Sequence, residues 1–358
     1  MSNPIQPSSR RLLARLIARW TALVVVLSLL YCVYVFLPFY QTAYSPVWAR
    51  EQTVKTLNYL YGMLFLGALP WYWWRLWRQP PQRGLRACEK MLLGAIILRR
   101  LAASPSKKSA YQWRWWHPRI RLLLMGLLVK GFYFPLLLRS AFVHGYWLWA
   151  ELGRSTAGLS WHDLVFDHGF ILCLQALFLL DSVIFTIGYA IESRRLGSTI
   201  KSVEPTLLGW TAALACYPPF NEMFTLRVIP SASSVSPVPW VLPHFMPDLQ
   251  RVLVLIAVGI FAWASVALGW KASNLTNRGI VTWGPYRWVR HPAYTAKCFG
   301  WWVEGLANLN HGPVVFGLVG WTAVYVLRAW TEERHLMRDP EYQRYLRQVR
   351  WRFIPGVL

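Results

Sequence analysis

Apolar residues in this chain gather into long runs with few charges inside them. A bilayer core about 30 Å thick takes roughly 20 helical residues per crossing. The stretches 20–39, 56–74, 122–138, 170–191, 206–220, 252–270, 292–309 and 313–330 approach or reach that length. The pattern predicts an all-α, polytopic membrane helical bundle with about eight transmembrane helices. The first run is too long for a signal peptide and no small-residue cleavage site follows it, so it reads as a retained helix. Pro218-Pro219 closes the short fifth run. Between Arg75 and Arg121, the segment Met91–Leu98 is apolar but too short to span, and Glu89, Lys90, Arg99 and Arg100 flank it. It predicts an interfacial amphipathic helix.

Composition sharpens the membrane reading. Of 358 residues, 55% are hydrophobic and 23 are Trp. Trp71, Trp73, Trp74, Trp77, Trp270 and Trp330 sit at run ends, where amphipathic rings meet headgroups. The net charge of +23 would suggest nucleic acid in a soluble protein. Here most of the 38 Lys and Arg fall in 1–19, 75–121, 192–205, 271–297 and 328–358. The alternate loops are poor in them, and 139–169 carries Glu151, Asp163 and Asp167. The positive-inside rule then puts both termini in the cytoplasm. The expected location is a bacterial inner membrane, with anionic lipid headgroups as partners of the basic loops and no nucleic acid. The five cysteines show no paired or ligand spacing, so neither a disulfide framework nor a metal site is expected.

The chemistry-bearing stretch is 278–294, Arg-Gly-Ile-Val-Thr-Trp-Gly-Pro-Tyr-Arg-Trp-Val-Arg-His-Pro-Ala-Tyr. Gly284-Pro285 marks a turn. His291 precedes proline and is biased to extended geometry, while Pro292 suits the first position of a helix. A helix N-terminus beside Arg287, Arg290 and His291 favours an anionic ligand group or a lipid phosphate. A second cluster, Arg328-Ala-Trp-Thr-Glu-Glu-Arg-His335, puts Arg328 and Glu332 on one helix face, as a site or as a surface pair. In the tail, Tyr342, Tyr345 and Val349 share a face that predicts an amphipathic helix closing over the site. Lys130, Asp181 and Asn221 are polar positions at membrane depth, which suits a substrate path or helix-to-helix bonding. The segment 216–221 breaks a helix and is expected to line a cavity.

The pattern G-P-Y-R-x-V-R-H-P-x-Y, followed by the Glu pair and Y-x-x-Y-x-x-x-V-x-x-x-x-P, resembles the isoprenylcysteine carboxyl methyltransferase family and is similar to the related phospholipid methyltransferases. It covers 276–355. The resemblance implies a scaffold over 1–250 and a cofactor-binding methyltransferase-like membrane core over 251–358. It implies S-adenosyl-L-methionine as cofactor, held by Arg278, Gly279, Ile280, Val281, Tyr286, His291, Pro292, Ala293, Tyr294 and Glu332. Arg328, Glu332 and Arg290 would carry the catalytic work, with Arg328 facing the acceptor. The implied acceptor is a membrane lipid or lipid-like molecule, with carboxylate O-methylation favoured. The chain departs from the family pattern at Ala296, where glycine is usual, and at Asp339-Pro340. Two other readings stand beside this one. A nicotinamide-dependent membrane reductase related to sterol reductases shares an R-H-x-x-Y motif and a similar tail. A transporter or scaffold without catalysis would spread polar residues over several runs.

Overall fold

The computed structural model describes residues 9–36, 46–78, 118–230 and 246–357. The expected interfacial helix at 91–98 lies outside the described residues. The chain divides into two compact units, 1–41 with 51–128, and 42–50 with 129–358. It is mostly helical.

The first unit holds α1 (Ser9–Phe36) and most of α2 (Val47–Arg78). Side chains join the two helices: the Trp20 indole donates to the Phe65 carbonyl at 3.1 Å, and the Ser28 and Tyr61 hydroxyls meet at 3.0 Å.

The second unit carries the body of α3 (Pro118–Leu152), α4 (Phe170–Ala190), α5 (Leu207–Leu214), α6 (Met246–Leu268), α7 (Pro292–Gly305), α8 (Gly312–Leu336) and α9 (Pro340–Gln348). A π-helical turn, Asp163–Gly169, leads into α4. α6 packs between α4 and α7, and α8 packs on α7 and α5. The α6–α7 approach is close: a Cβ on Gly300 would lie 3.5 Å from that of Ala257. Two short strands, β1 (Ser202–Val203) and β2 (Thr276–Asn277), pair antiparallel with Ser202 opposite Asn277. That ladder ties the loop after α4 to the loop after α6.

Four helical stretches are long and apolar enough to cross a membrane: Arg121–Leu152, Asp163–Ala190, Met246–Lys271 and Gly312–Leu336. They coincide with the runs at 122–138, 170–191, 252–270 and 313–330. The described residues do not reach eight such helices. The run at 206–220 is helical over only 8 residues, capped by the Thr206 side chain at its start and turned before Pro218. The run at 292–309 gives a helix of 14 residues that loosens into a 3-10 turn at Leu306–Asn308. At 1.5 Å per residue, these rise about 12 and about 21 Å, short of a full crossing. In α1 the apolar part counted is the shorter Leu23–Phe36.

Candidate functional site

Within the second unit, a cavity of about 320 Å³ opens where the loop after α6 meets α7, α8 and α9. That size lies at the small end of ligand pockets. Its wall begins with the 278–281 loop. Arg278 is 2% exposed, and its guanidinium donates to the carbonyls of Gly188 and, at 3.4 Å, Trp270. It thereby ties the loop to the ends of α4 and α6. Among the described residues, the buried Nε and Nη2 of Arg278 have no hydrogen-bond partner. Gly279 follows with φ of +105°, and a Cβ there would press within 3.3 Å of the Lys271 ammonium. Its amide donates to Asn277 Oδ1 at 2.8 Å, so the left-handed turn is built from both sides.

The turn at 284–287 is a 3-10 helix, and α7 starts at Pro292 with His291 as its cap residue. Both agree with the proline and glycine pattern. The chain tail runs beside this turn. The amides of Arg290 and His291 donate to the carbonyls of Trp351 and Arg352, each at 3.0 Å, and the Thr295 hydroxyl donates to Phe353 O at 3.1 Å. On the tail helix, Tyr342 and Tyr345 are buried with Val349 against Ile280, Tyr286 and Leu336. The Tyr345 hydroxyl donates to Tyr286 O at 2.6 Å. The shared face read from the tail is therefore the face that packs, and both tyrosines line the cavity.

The two neighbouring glutamates on α8 do different things. The Tyr294 hydroxyl donates to Glu332 at 2.7 Å, and Glu332 lines the cavity. Glu333 faces away into a buried clasp. It meets Arg290 Nε at 2.8 Å and His291 Nε2 at 3.1 Å, and it accepts from Arg352 at 2.8 and 3.0 Å. One turn earlier, Arg328 is 5% exposed and donates to Asn274 Oδ1. Its guanidinium lies over the rings of Tyr294 at 5.0 Å, Tyr217 at 5.3 Å and Tyr325 at 5.8 Å, a cation–π cage. Asn274 is itself fixed, because its amide donates to the Tyr189 hydroxyl at 2.5 Å and its Nδ2 to Tyr217 at 3.2 Å.

Arg278, Gly279, Ile280, Val281, Tyr286, Arg290, His291, Ala293, Tyr294, Arg328 and Glu332 all line the one cavity. Pro292 does not; it is buried in the first turn of α7. Arg290 reaches the wall with its charge engaged by Glu333, which casts it as a holder of the turn. The Arg328–Glu332 surface pair does not form, because each has its own partner. Of the three polar positions expected along a path, only Asp181 lines the cavity. Lys130 pairs with Glu192 at 2.7 Å, and the Asn221 side chain caps the amide of Glu222 at 2.9 Å. From the 216–221 segment it is Tyr217 that reaches the cavity. Asn274 was not singled out in the sequence, since a Ser-Asn pair before a loop carries no distinctive signal. Among the described residues, no group of His, Cys, Asp and Glu is placed to hold a metal ion.

Asp339 anchors the tail helix at the cavity rim. It caps Glu341 N at 2.9 Å and accepts from Asn277 Nδ2 at 2.8 Å and Lys201 at 3.3 Å. Burial alone would raise its pKa, but the Asn277, Glu341 and Lys201 donors together hold its carboxyl below the usual value. A depressed carboxylate contributes stability above its unfolded pKa and loses it as pH falls through the folded one. The expected result is that α9 docking persists at neutral pH and loosens only below about pH 4. Asp339→Ala should cost about 1 kcal/mol by loss of the cap alone. Tyrosine fluorescence and thermal unfolding against pH check both.

The chain matches no protein-family model, no curated protein and no solved structure.

Proposed function

We propose that this protein is an S-adenosyl-L-methionine-dependent methyltransferase that acts at a membrane on an amphiphilic, lipid-like acceptor, with a carboxylate oxygen as the favoured methyl-accepting atom. The observation that carries this reading is the 2.7 Å bond from Tyr294 to Glu332. It closes the R-H-P turn and the Glu-pair helix, 38 residues apart, onto one cavity.

The donor set suits the cofactor. Adenosylmethionine carries a sulfonium, an ammonium and a carboxylate, and when bound it would supply a methyl group to a nucleophile. Glu332 and the ring of Tyr286 are groups that favour the cationic parts. The Lys271 ammonium favours an anionic one. The missing Cβ of Gly279 makes room for the Lys271 side chain beside the loop.

The chain's own residues then have distinct tasks. Arg328, fixed by Asn274 and three aromatic rings, orients an acceptor carboxylate through its planar fork. A carboxylate is already a nucleophile at neutral pH, so no base is needed. The tail helix covers the cavity with Tyr342 and Tyr345 and keeps water out. The Glu333 clasp holds the turn and the tail in register. Alignment of nucleophile and methyl group within about 3–3.5 Å is the main requirement, and it rests on this rigidity.

The proposal extends to topology. The distribution of Lys and Arg supports a multi-pass arrangement in a bacterial inner membrane, with both termini and the amphipathic tail helix on the cytoplasmic side. Basic loops there would meet anionic headgroups. The polar cofactor would arrive from the cytoplasm and the apolar acceptor from the bilayer.

The test is binding and turnover with purified protein in a maltoside detergent. Labelled adenosylmethionine is expected to bind at micromolar concentration and to transfer its methyl group to a component of a lipid extract. Binding of NADPH without adenosylmethionine would replace this reading with a reductase.

A further inference from the structure

The loop after α4 carries a side-chain cluster that methyl transfer as described leaves unused. Alternate residues of a strand share a face. Ser202 in β1 and Glu204 just past it therefore reach the same way, toward His335 near the end of α8. The Ser202 hydroxyl lies 2.8 Å from His335 Nε2. Across the ring, His335 Nδ1 lies 3.9 Å from Glu204 Oε2. His335 and Glu204 are buried, at 5% and 3% exposed, while Ser202 is half-buried. None of the three lines the large cavity.

Glu204 is built into this position. Its Oε1 accepts from the Thr206 amide at 3.0 Å, from the Thr206 hydroxyl and from Arg334 at 3.1 Å. A Cβ on Gly209 would overlap the Glu204 side chain, so that glycine makes the room. Its Oε2, by contrast, has no hydrogen-bond partner among the described residues. A buried carboxylate oxygen without a donor is costly. An N–H on His335 Nδ1 is the donor that faces it. With the proton there, Nε2 keeps its lone pair and accepts from the Ser202 hydroxyl. Each nitrogen then has the role that nucleophilic catalysis requires. The gap of 3.9 Å is long for a hydrogen bond at rest, and such contacts tighten as charge develops. A simple stitch between β1 and α8 needs only the Ser202–His335 bond. It gives no reason to bury a carboxylate behind the ring with one oxygen free.

We propose that Ser202 and His335, with Glu204 as positioning residue, form a second catalytic site that hydrolyses carboxylic esters carrying an apolar chain. The surroundings suit such a substrate. Leu207 and Leu208, which follow Thr206, are exposed, as is Trp330 beneath the Arg334 guanidinium at 5.0 Å. Ser202 Oγ bonds to the ester carbonyl carbon and gives its proton to His335 Nε2. The bond to the leaving oxygen breaks, and that oxygen takes the proton and departs as an alcohol. Water then attacks the acyl-serine, passing a proton through Nε2 back to Ser202 Oγ, and the carboxylic acid leaves. In each attack the imidazolium forms with its Nδ1–H toward Glu204.

The purified full-length protein in maltoside is treated with an alkyl fluorophosphonate, and the adduct is located by mass spectrometry. Labelling of Ser202 is expected. His335→Gln should slow it by about a hundredfold or more. Glu204→Gln should slow it by about tenfold or more, and Glu204→Asp should recover part of the rate, which a merely structural carboxylate would not show. The wild-type protein should hydrolyse p-nitrophenyl octanoate, and Ser202→Ala should not, with an unchanged unfolding midpoint. No adduct on Ser202 in the wild-type protein would overturn the site, and that result needs no variant. Labelling at the wild-type rate in His335→Gln, or labelling without ester hydrolysis, would overturn it too. None of these readouts uses adenosylmethionine, so their outcome is separate from that of the methyl-donor reading.

Discussion

Glu333→Ala should lower the unfolding free energy by about 3 kcal/mol and release the tail from the R-H-P turn. Glu333 is buried and meets Arg290, His291 and Arg352 at once. Breaking a buried ion pair from one side costs about 3–5 kcal/mol, because the remaining charge is left without a partner. The low end applies, since the Arg352 side chain is 40% exposed and regains water. Arg290 does not regain water, with 12% of its side chain exposed. Glu333→Gln keeps the shape and one acceptor, so it should fall between. Denaturant unfolding in detergent measures the first effect. Limited trypsin digestion measures the second, because cleavage after Arg350 and Arg352 requires a detached tail. Wild-type stability and an uncut tail in Glu333→Ala would mean that the backbone bonds from Arg290 and His291 hold the tail unaided.

Arg328→Met should reduce methyl transfer by at least about a hundredfold while adenosylmethionine affinity changes by no more than about threefold. The guanidinium lines the cavity within a cage of Tyr217, Tyr294 and Tyr325, and its one hydrogen-bond partner among the described residues is Asn274. It is thus a positioned cation facing a cavity, which is what an anionic acceptor needs. Arg328→Lys keeps the charge and loses the planar fork, so turnover should fall by about tenfold. Arg328→Met leaves Asn274 Oδ1 short of a donor, at a stability cost of about 1–2 kcal/mol. Single-turnover kinetics with separate measurement of cofactor binding decides the matter. A parallel loss of cofactor affinity and turnover would move Arg328 from the acceptor side to the cofactor side.

Much of the candidate site was legible because its signals are local. Pro292 could open a helix and Gly284-Pro285 could turn the chain whatever lay around them. The spacing of Tyr342, Tyr345 and Val349 marked the buried side of the tail helix. The four long apolar runs became long apolar helices. Among the described residues, two of the expected eight spans fall short because apolarity does not measure helix length: 206–220 meets Pro218-Pro219, and 292–309 loosens after Gly305.

What the residues by themselves determined is where the four long apolar helices lie, where the turn at Gly284-Pro285 and the helix start at Pro292 fall, and the gathering of acid, base and aromatic side chains near one end of the chain. Only the tertiary structure decided which of them face each other. Glu332 and Glu333 are neighbours, but successive residues on a helix point about 100° apart. The direction of the cavity therefore chose Glu332 for the wall and Glu333 for the clasp. Asp181 and Lys130 are equally conspicuous as charges in apolar helices, yet one lines the cavity and the other pairs with Glu192. Arg328 acquires its setting from Asn274, 54 positions away. Contacts at such separations depend on how helices pack, and no local pattern of residues encodes that.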